Sequence, residues 1–301
     1  MSIIIKVNNL CKSYGNINAV DHLSFQVEKG EIYGLIGADG AGKSTLFRIL
    51  TTLLLPQSGT VSVLGYDVVK DDGAIRSKIG YMPGKFSLYQ DLSIEENLRF
   101  YATIFGTTME ENRHLIESIY SHIEPFKKRK AGNLSGGMKQ TLALCCALIH
   151  KPQILFLDEP TTGIDPISRK ELWEMLCKLR EEGITIVIST PYMDEALNCT
   201  KIAFMQDGKF LKEASPQSII KDFTGDIYAA EFPDNKIALA GLRRQYGENG
   251  VYSAGDSLHI ITQDPNFIST FQQGREQLEY PKITLKKITP SLEDCFMQLL
   301  G

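Results

Sequence analysis

The chain has 301 residues, of which 43% are hydrophobic and 23% charged, with a formal net charge of −4. This balance is ordinary for a soluble globular protein. The acidic charge argues against a free nucleic-acid-binding protein, which usually carries a basic field. The six cysteines form no C-x-x-C pair, so neither a zinc site nor a disulfide framework is expected. Their scatter, the absence of a signal-peptide pattern and the lack of an apolar run of about 18 residues predict a cytoplasmic protein.

Three short apolar runs, residues 32–36, 154–157 and 184–188, predict buried parallel strands. Continuous apolar character is expected where helices cover both faces of a sheet. Two segments between them carry apolar residues at helical spacing, namely Leu46, Ile49, Leu50 and Leu53, and then Leu172, Met175, Leu176 and Leu179. Strands that alternate with helices predict an α/β fold.

The first strand leads into a glycine-rich segment that fits the G-x-x-x-x-G-K-S/T pattern. Its residues are Gly37, Ala38, Asp39, Gly40, Ala41, Gly42, Lys43, Ser44 and Thr45. Glycines let backbone N–H groups point at phosphate oxygens, and the following helix adds the positive end of its dipole. Lys43 is predicted to reach the β- and γ-phosphates and Ser44 to bind Mg²⁺. A plain glycine-rich turn before a helix is the alternative.

Residues 86–150 lose the strand pattern, which predicts a helical insertion into the α/β core. Within it lies Leu-Ser-Gly-Gly-Met-Lys-Gln, residues 134–140. Ser135 is predicted to cap a helix, and Gly136 and Gly137 expose backbone N–H groups, so this is a second potential phosphate site. One chain does not need two sites for one γ-phosphate. We therefore expect this terminus to serve the ATP of another chain, although a simple loop and cap would also explain it.

The second predicted strand ends in two carboxylates, Asp158 and Glu159, followed by Pro160. Charges at the end of a buried strand need a partner, and a Mg²⁺–phosphate group supplies one. Asp158 is predicted to hold the Mg²⁺ shell and Glu159 to act as the general base for the attacking water. Farther on, Asp165 and Pro166 predict the start of a helix.

After about residue 222 the composition changes. Strands are predicted near 226–232, 250–254, 257–262 and 281–287, and helices near 235–245 and 265–277. The order β-α-β-β-α-β suggests a small ferredoxin-like α+β module, followed by a last helix over about 291–300. The predicted domains are therefore residues 1–222 and an accessory or regulatory module at 223–301.

The glycine-rich loop, LSGGMKQ and LFLDEP, in this order and at these separations, resemble the ATP-binding cassette of ABC transporters over residues 1 to about 220. The resemblance implies a P-loop ATPase that uses ATP and Mg²⁺. It implies a head-to-tail dimer, with itself or with a second ATPase subunit. Each ATP would lie between one chain's glycine-rich loop and the other chain's LSGGM segment. By the same resemblance Tyr14 stacks on adenine, and Asp165 lies in a loop that contacts the partner cassette.

The tail at residues 290–296 and the stretch from Ile79 to Leu98 are similar to ATPase subunits of ABC-2 type exporters. That group pairs a soluble ATPase with separate permease subunits. The resemblance therefore implies a protein that sits on the cytoplasmic face of the cell membrane and powers export, with no nucleic-acid partner. The transported substrate does not follow from the sequence.

Two positions depart from the family pattern. Gly84 stands where the family usually has a Gln that contacts Mg²⁺ and the attacking water. Pro191 stands where it usually has a His that touches the γ-phosphate. We expect ATP binding to persist and turnover to be reduced, unless Thr190, Tyr192 or Gln90 takes over a contact. Two alternatives stay open: a nucleotide-gated regulatory subunit with slow hydrolysis, and a soluble ABC protein outside transport.

Overall fold

The computed structural model describes residues 2–247, 250–275 and 283–300, in two compact units that divide between Glu213 and Ala214. The division into domains after residue 222 stays a prediction. The last two residues of the predicted helix at 265–277 and the first two of the predicted strand at 281–287 lie outside the described residues. No helix within the described ranges is both long and apolar enough to cross a bilayer.

The first unit is built from strands and helices that largely alternate along the chain. Its strands are β1 (Ile3–Tyr14), β2 (Ile17–Glu28), β3 (Ile32–Ile36), β4 (Ser58–Val63), β5 (Tyr66–Asp67), β6 (Ile79–Met82), β7 (Ile154–Asp158), β8 (Thr185–Thr190), β9 (Lys201–Gln206) and β10 (Lys209–Ala214). Its helices are α1 (Lys43–Leu50), α2 (Asp72–Arg76), α3 (Ile94–Ile104), α4 (Met109–Tyr120), α5 (Gly136–Leu148), α6 (Pro166–Glu181) and α7 (Met193–Ala196).

A six-stranded sheet in the order β10-β9-β3-β8-β7-β6 positions the predicted site residues of the first unit that follow its strands. β3 pairs in parallel with β8 and β9, and β7 pairs in parallel with β6 and β8. Every residue of β3, β7 and β8 is buried, which confirms the three predicted strands. Because parallel strands end at the same edge of a sheet, the segments after Ile36, Asp158 and Thr190 emerge there together.

A second, antiparallel sheet in the order β2-β1-β4-β5 completes the core. Its buried side chains join those of α1 and β3 in one apolar cluster. Phe25 of β2, for example, stacks on Tyr33 of β3 with ring centroids 5.5 Å apart. This packing anchors the strand that leads into the glycine-rich loop.

The predicted helical insertion is confirmed by α3, α4 and α5, with two short 3₁₀ turns between α4 and α5. The predicted extension of the first helix to Leu53 is wrong. α1 ends at Leu50, and Thr52 adopts a left-handed backbone with φ of 64°. This turn takes Leu53 out of helical register, and its side chain is 57% exposed.

The second unit holds a four-stranded antiparallel sheet in the order β12-β13-β11-β14. From β11 to β14 its elements follow the β-α-β-β-α-β order that the sequence predicts. The elements of this unit, with α8 before and α11 after that series, are α8 (Pro216–Lys221), β11 (Asp226–Glu231), α9 (Asn235–Tyr246), β12 (Val251–Ala254), β13 (Ser257–Thr262), α10 (Phe267–Arg275), β14 (Thr284–Ile288) and α11 (Leu292–Leu300).

A buried carboxylate joins the last helix to this sheet. Asp294 of α11 is 1% exposed and accepts hydrogen bonds from Tyr252 and from Nδ1 of His259, the latter at 2.7 Å. It also accepts from the hydroxyl of Ser291 at 2.7 Å. Burial alone would raise the pKa of Asp294, but the hydrogen bonds from His259, Tyr252 and Ser291 outweigh burial and lower its pKa to about 2.

We expect the second unit to lose stability in acid because of this residue. A carboxyl whose pKa is lower in the folded state stabilises that state above its unfolded pKa of 3.8, and the stabilisation is lost as the pH falls towards about 2. The shift corresponds to about 2 kcal/mol of unfolding free energy. Chemical denaturation of Asp294→Asn should show a flatter dependence on pH between 4 and 2 than the wild type. An identical pH dependence in the two proteins would contradict this assignment.

Candidate nucleotide-binding site

The glycine-rich loop connects β3 to α1 and passes close to neighbouring backbone. A Cβ at Gly37 would collide with the carbonyl oxygen of Met205. One at Gly42 would collide with that of Ala19, and Gly42 also has a left-handed φ of 107°. Only glycine fits these two positions. Because Gly42 is the N-cap of α1, no side chain caps the first turn of that helix. Ala38, Asp39 and Gly40 are exposed, Ala41 is buried, and Ser44 and Thr45 are half-buried.

Lys43 links this loop to the end of β7. Its side chain is 3% exposed, and Nζ donates to the carbonyl oxygens of Gly37 at 2.8 Å and Ala38 at 3.1 Å. The same Nζ lies 3.4 Å from Oε1 of Glu159. Two of the sequence-predicted site residues, more than a hundred positions apart, are therefore brought into direct contact by the parallel sheet.

The two strand-end carboxylates have different surroundings. Asp158 is 4% exposed, and its Oδ1 accepts a hydrogen bond of 2.6 Å from the Ser189 hydroxyl. Glu159 adopts a left-handed backbone with φ of 52°, a strained conformation for a residue with a side chain. Its N–H donates to the Ser189 carbonyl at 3.1 Å, which helps to hold that conformation. The sequence pattern did not single out Ser189; its place beside Asp158 follows from the pairing of β7 with β8.

The oxygen donors near this edge suit a Mg²⁺ ion. Ser44 supplies a hydroxyl in the first turn of α1, and Asp158 supplies a carboxylate at the end of β7. Hard oxygen ligands of this kind, together with phosphate oxygens, are those that Mg²⁺ prefers. The donor set at the predicted metal residues therefore fits the ion.

Gly84 lies against the predicted metal ligand. A Cβ at this position would be 3.1 Å from the carbonyl oxygen of Asp158 and 3.8 Å from its Oδ2. Among the candidates for local rescue, Thr190 is fully buried and donates to Glu195 at 2.6 Å. The Tyr192 ring lies under the guanidinium of Arg169, 4.3 Å from its centroid. Gln90 is exposed, and its backbone carbonyl accepts from Gly132 at 2.9 Å.

The LSGGM segment and the loop before α6 form one groove of about 650 Å³. Ser135 is the N-cap of α5, and its hydroxyl accepts from the N–H of Met138 at 3.3 Å. A Cβ at Gly136 would lie 3.1 Å from the carbonyl oxygen of Gly163. Asp165 caps α6, as predicted. Gly137 also lines the groove, and among its described lining residues none comes from the glycine-rich loop.

Tyr14 is the last residue of β1, and 47% of its surface is exposed. It pairs with Ile17 across the turn into β2. β2 then approaches the glycine-rich loop at Ala19, whose carbonyl oxygen lies against Gly42. The hairpin that carries Tyr14 therefore continues directly to the loop.

A group of possible metal ligands that the sequence did not indicate lies on the β1–β2 hairpin. One donor atom each of Cys11, Asp21 and His22 lies within 4.8 Å of the others. Asp21, however, already pairs with His22 at 2.6 Å and with Lys209 at 3.2 Å. The Lys209 ammonium neutralises the carboxylate and opposes a second cation, so we assign no metal to this group.

Comparison with known proteins extends these observations. Residues 20–162 match the family model described as ABC transporter. The chain is 38% identical over 305 residues to "Probable multidrug ABC transporter ATP-binding protein YbhF" of Escherichia coli (strain K12), covering 99% of this chain and 52% of that protein. It is 36% identical over 302 residues to "Nod factor export ATP-binding protein I" of Rhizobium sp. (strain N33), covering 99% and 97%.

The chain thus spans about half the length of the Escherichia coli relative and nearly all of the Rhizobium one. Among solved structures it resembles the dimeric post-hydrolysis state of the ATP-binding cassette MJ0796 bound to ADP and Pi. The TM-score is 0.65 at 28% identity, covering 70% of this chain and 98% of that one. The family match and the Rhizobium relative, of which this chain covers 97%, show that this chain belongs to the ATP-binding protein family of ABC transporters.

Proposed function

We propose that this chain binds Mg-ATP at the glycine-rich loop and hydrolyses it to power an exporter whose permease subunits are separate proteins. The observation that supports this most directly is the 3.4 Å contact between Lys43 and Glu159. It joins a loop suited to phosphate with a carboxylate suited to activate water. The family's activity, ATP hydrolysis, requires both groups at one place.

The proposed roles follow from the positions of the side chains. The uncapped N-terminus of α1 and the loop N–H groups of residues 37–45 bind the phosphates. Ser44 and Asp158 hold Mg²⁺, which neutralises phosphate charge when bound. Tyr14 stacks on the adenine ring. Incoming phosphate oxygens compete with the loop carbonyls and with Glu159 for the Lys43 ammonium, because they are stronger partners for a cation.

This exchange leaves the Glu159 carboxylate available to the attacking water. Glu159 accepts a proton from that water as its oxygen bonds to the γ-phosphorus, and the bond from that phosphorus to the bridging oxygen of ADP breaks. The left-handed backbone at Glu159, held by Ser189, fixes where the carboxylate begins. The chain thereby positions its base through backbone contacts within the sheet.

We further propose a head-to-tail dimer, formed with a second copy or with another ATPase subunit. The groove that carries Ser135, Gly136, Gly137 and Asp165 is lined by residues outside this chain's own glycine-rich loop. A helix N-terminus in that position can bind the phosphates of an ATP that is held by the glycine-rich loop of a partner chain. A related cassette of 28% identity is described as dimeric, which supports this arrangement.

The proposed permease contact is an apolar cleft of about 220 Å³ between the core sheet and the helical insertion. Tyr81 and Pro83 line one side, and Tyr101 of α3 and Phe105, just beyond the end of that helix, line the other. Leu53 lines the cleft and is 57% exposed. An apolar segment of a membrane subunit would cover these side chains, and we propose on this basis that the chain acts at the cytoplasmic face of the membrane. The proposed ABC-2 subtype rests on the resemblance of the tail at 290–296 and of the stretch from Ile79 to Leu98.

ATP turnover of the purified chain, alone and with its permease in lipid vesicles, tests this function. We expect the permease to change the turnover rate severalfold. Leu53→Asp should abolish that effect and keep the basal rate, whereas Ile237→Asp, also on an exposed apolar residue (64% exposed), should behave as wild type. Equal responses from both variants would reject the cleft as the contact. ATP binding without turnover under any condition would favour the regulatory-subunit alternative, to which Gly84 and Pro191 point.

We also expect the second unit to be dispensable for nucleotide binding, because every proposed ATP ligand lies in the first unit. A chain truncated after Ala214, where β10 ends, should bind Mg-ATP with an affinity within about threefold of the full chain. Equilibrium dialysis measures the affinity, and a thermal melt verifies that the truncated chain is folded. A loss of affinity beyond tenfold in a folded truncation would show that the second unit takes part in binding.

A further inference from the structure

A second buried carboxylate, Glu195 of α7, lies behind the proposed ATP site. Its side chain is 2% exposed. Oε2 accepts hydrogen bonds from the hydroxyls of Thr190 at 2.6 Å and Thr161 at 3.0 Å. Oε1 lies 3.4 Å from Nε of Arg169. One carboxylate thus joins three segments that are separate in the chain.

Each of these segments borders a part of the proposed active site. Thr190 ends β8 and immediately precedes Pro191. Thr161 lies two residues after Glu159, at the start of the loop that leads to Asp165. That loop runs into α6, where the next turn carries Arg169. Glu195 therefore connects the segment expected to face the γ-phosphate with both ends of the loop expected to face the partner cassette.

Further contacts close this arrangement into a ring. The N–H of Tyr192 donates to the hydroxyl oxygen of Thr190 at 3.0 Å. The Arg169 guanidinium lies over the Tyr192 ring, 4.3 Å from its centroid. Residues on both sides of Pro191 are thus held by the same pair of charges, Arg169 and Glu195. Proline also restricts its own backbone φ, which makes the held segment stiffer.

Burying a carboxylate costs free energy that apolar side chains would not cost if they packed in the same place. Burial raises the pKa of Glu195, and the hydroxyls of Thr190 and Thr161 and the charge of Arg169 oppose that rise. Replacing a buried ion pair by apolar side chains of similar volume is often neutral or stabilising. A buried carboxylate that contacts several segments at once is more useful where it defines one geometry for several loops.

We propose that Glu195 is a positioning residue for ATP hydrolysis. With Arg169 it holds the segment around Pro191 against the loop that follows Glu159. Because position 191 has no polar side chain, these contacts fix the geometry of the segment through its backbone. ATP binding at one edge of the sheet is thereby linked to the partner-facing loop. This inference rests on the proposed function, in which Glu159 activates water and the Asp165 loop faces a second cassette.

Kinetics of Glu195→Gln and Arg169→Gln test the proposal. Gln at 195 keeps an oxygen for both threonines and removes the charge that pairs with Arg169. We expect turnover per bound ATP to fall at least tenfold in each variant, while the Kd for Mg-ATP stays within twofold. Expressing the rate per bound nucleotide removes the effect of any misfolded fraction. The double variant should be no slower than the slower single one, because both changes break the same contact.

The control is Glu182→Gln, at the C-terminal end of α6, the helix that carries Arg169. Glu182 is exposed, so this variant should retain wild-type turnover. Normal turnover per bound ATP in Glu195→Gln would overturn the proposal, and so would multiplicative effects in the double variant. If Glu195→Gln does not fold, Arg169→Gln decides by the same criteria.

A second measurement does not depend on hydrolysis. Trp173 is the single tryptophan of the chain and lies one turn beyond Arg169 in α6, 5% exposed. We expect Mg-ATP to shift its fluorescence emission in the wild type, and the shift to disappear in Arg169→Gln even though that variant still binds ATP. If the wild type shows this shift but no turnover, the proposed function fails, whereas the link from bound ATP to the Asp165 loop through Arg169 and Glu195 stands. An unchanged shift in Arg169→Gln would overturn the linkage.

Discussion

Glu159→Gln is expected to lower ATP turnover by about 10²–10⁴-fold, the usual contribution of a general base, while ATP stays bound. The amide matches the carboxylate in size but cannot accept the proton of the attacking water at neutral pH. The backbone bond from residue 159 to Ser189 is unaffected by the change. Phosphate release and nucleotide content, measured on the same sample, report the two quantities separately.

The same variant should accumulate as an ATP-bound dimer, because a dimer that holds ATP between its two cassettes dissociates only after the ATP is hydrolysed. Size exclusion at saturating Mg-ATP measures this. Lys43→Ala is the informative contrast: removal of the ammonium should weaken ATP binding, abolish turnover and leave a monomer. Glu182→Gln, at the exposed end of α6, is the neutral control. A monomeric Glu159→Gln protein with ATP bound would contradict the ATP-bound homodimer and favour a dimer with a second ATPase subunit.

Restoring polar side chains at positions 84 and 191 is expected to raise turnover by about 10²–10³-fold, the usual contribution of one transition-state hydrogen-bond donor. Gly84 has no side chain, and Pro191 has neither a polar side chain nor an N–H donor. The Cβ of Gln at position 84 would start 3.1 Å from the carbonyl oxygen of Asp158, so the loop must yield by a few tenths of an ångström. From there the amide is close to the proposed Mg²⁺ ligand.

The measurement is Mg-ATP turnover of the isolated chain, with Gly84→Gln and Pro191→His made singly and together. Gly84→Ala and Pro191→Ala are the matched controls, because they change the backbone, including the N–H that alanine gains at position 191, without adding a polar side chain. Rescue by Thr190 is disfavoured, since its hydroxyl is buried and donates to Glu195. A brisk wild-type rate that does not respond to the restored residues would reject the impaired-site hypothesis and favour rescue by Tyr192 or Gln90.

The local features of this protein follow from its sequence. Continuous apolar runs predict β3, β7 and β8 because strands covered by helices on both faces contact little water. Asp165 predicts the start of α6 and Ser135 that of α5, since capping depends on residues within one turn. The glycine-rich segment is likewise a local pattern, in which the curvature of the backbone and the helix that follows depend on neighbouring residues.

The contacts between segments distant in the chain depend on the tertiary structure. The contact of Lys43 with Glu159, the hydrogen bond from Ser189 to Asp158 and the contacts of Glu195 all arise where parallel strands end at one edge of the sheet. No spacing rule along one strand predicts them, because they depend on strand order and register. Leu53 makes the same point in reverse: its spacing suits a helix, but the left-handed backbone at Thr52 turns it outward. Periodicity records which residues are apolar, whereas packing decides where the chain turns.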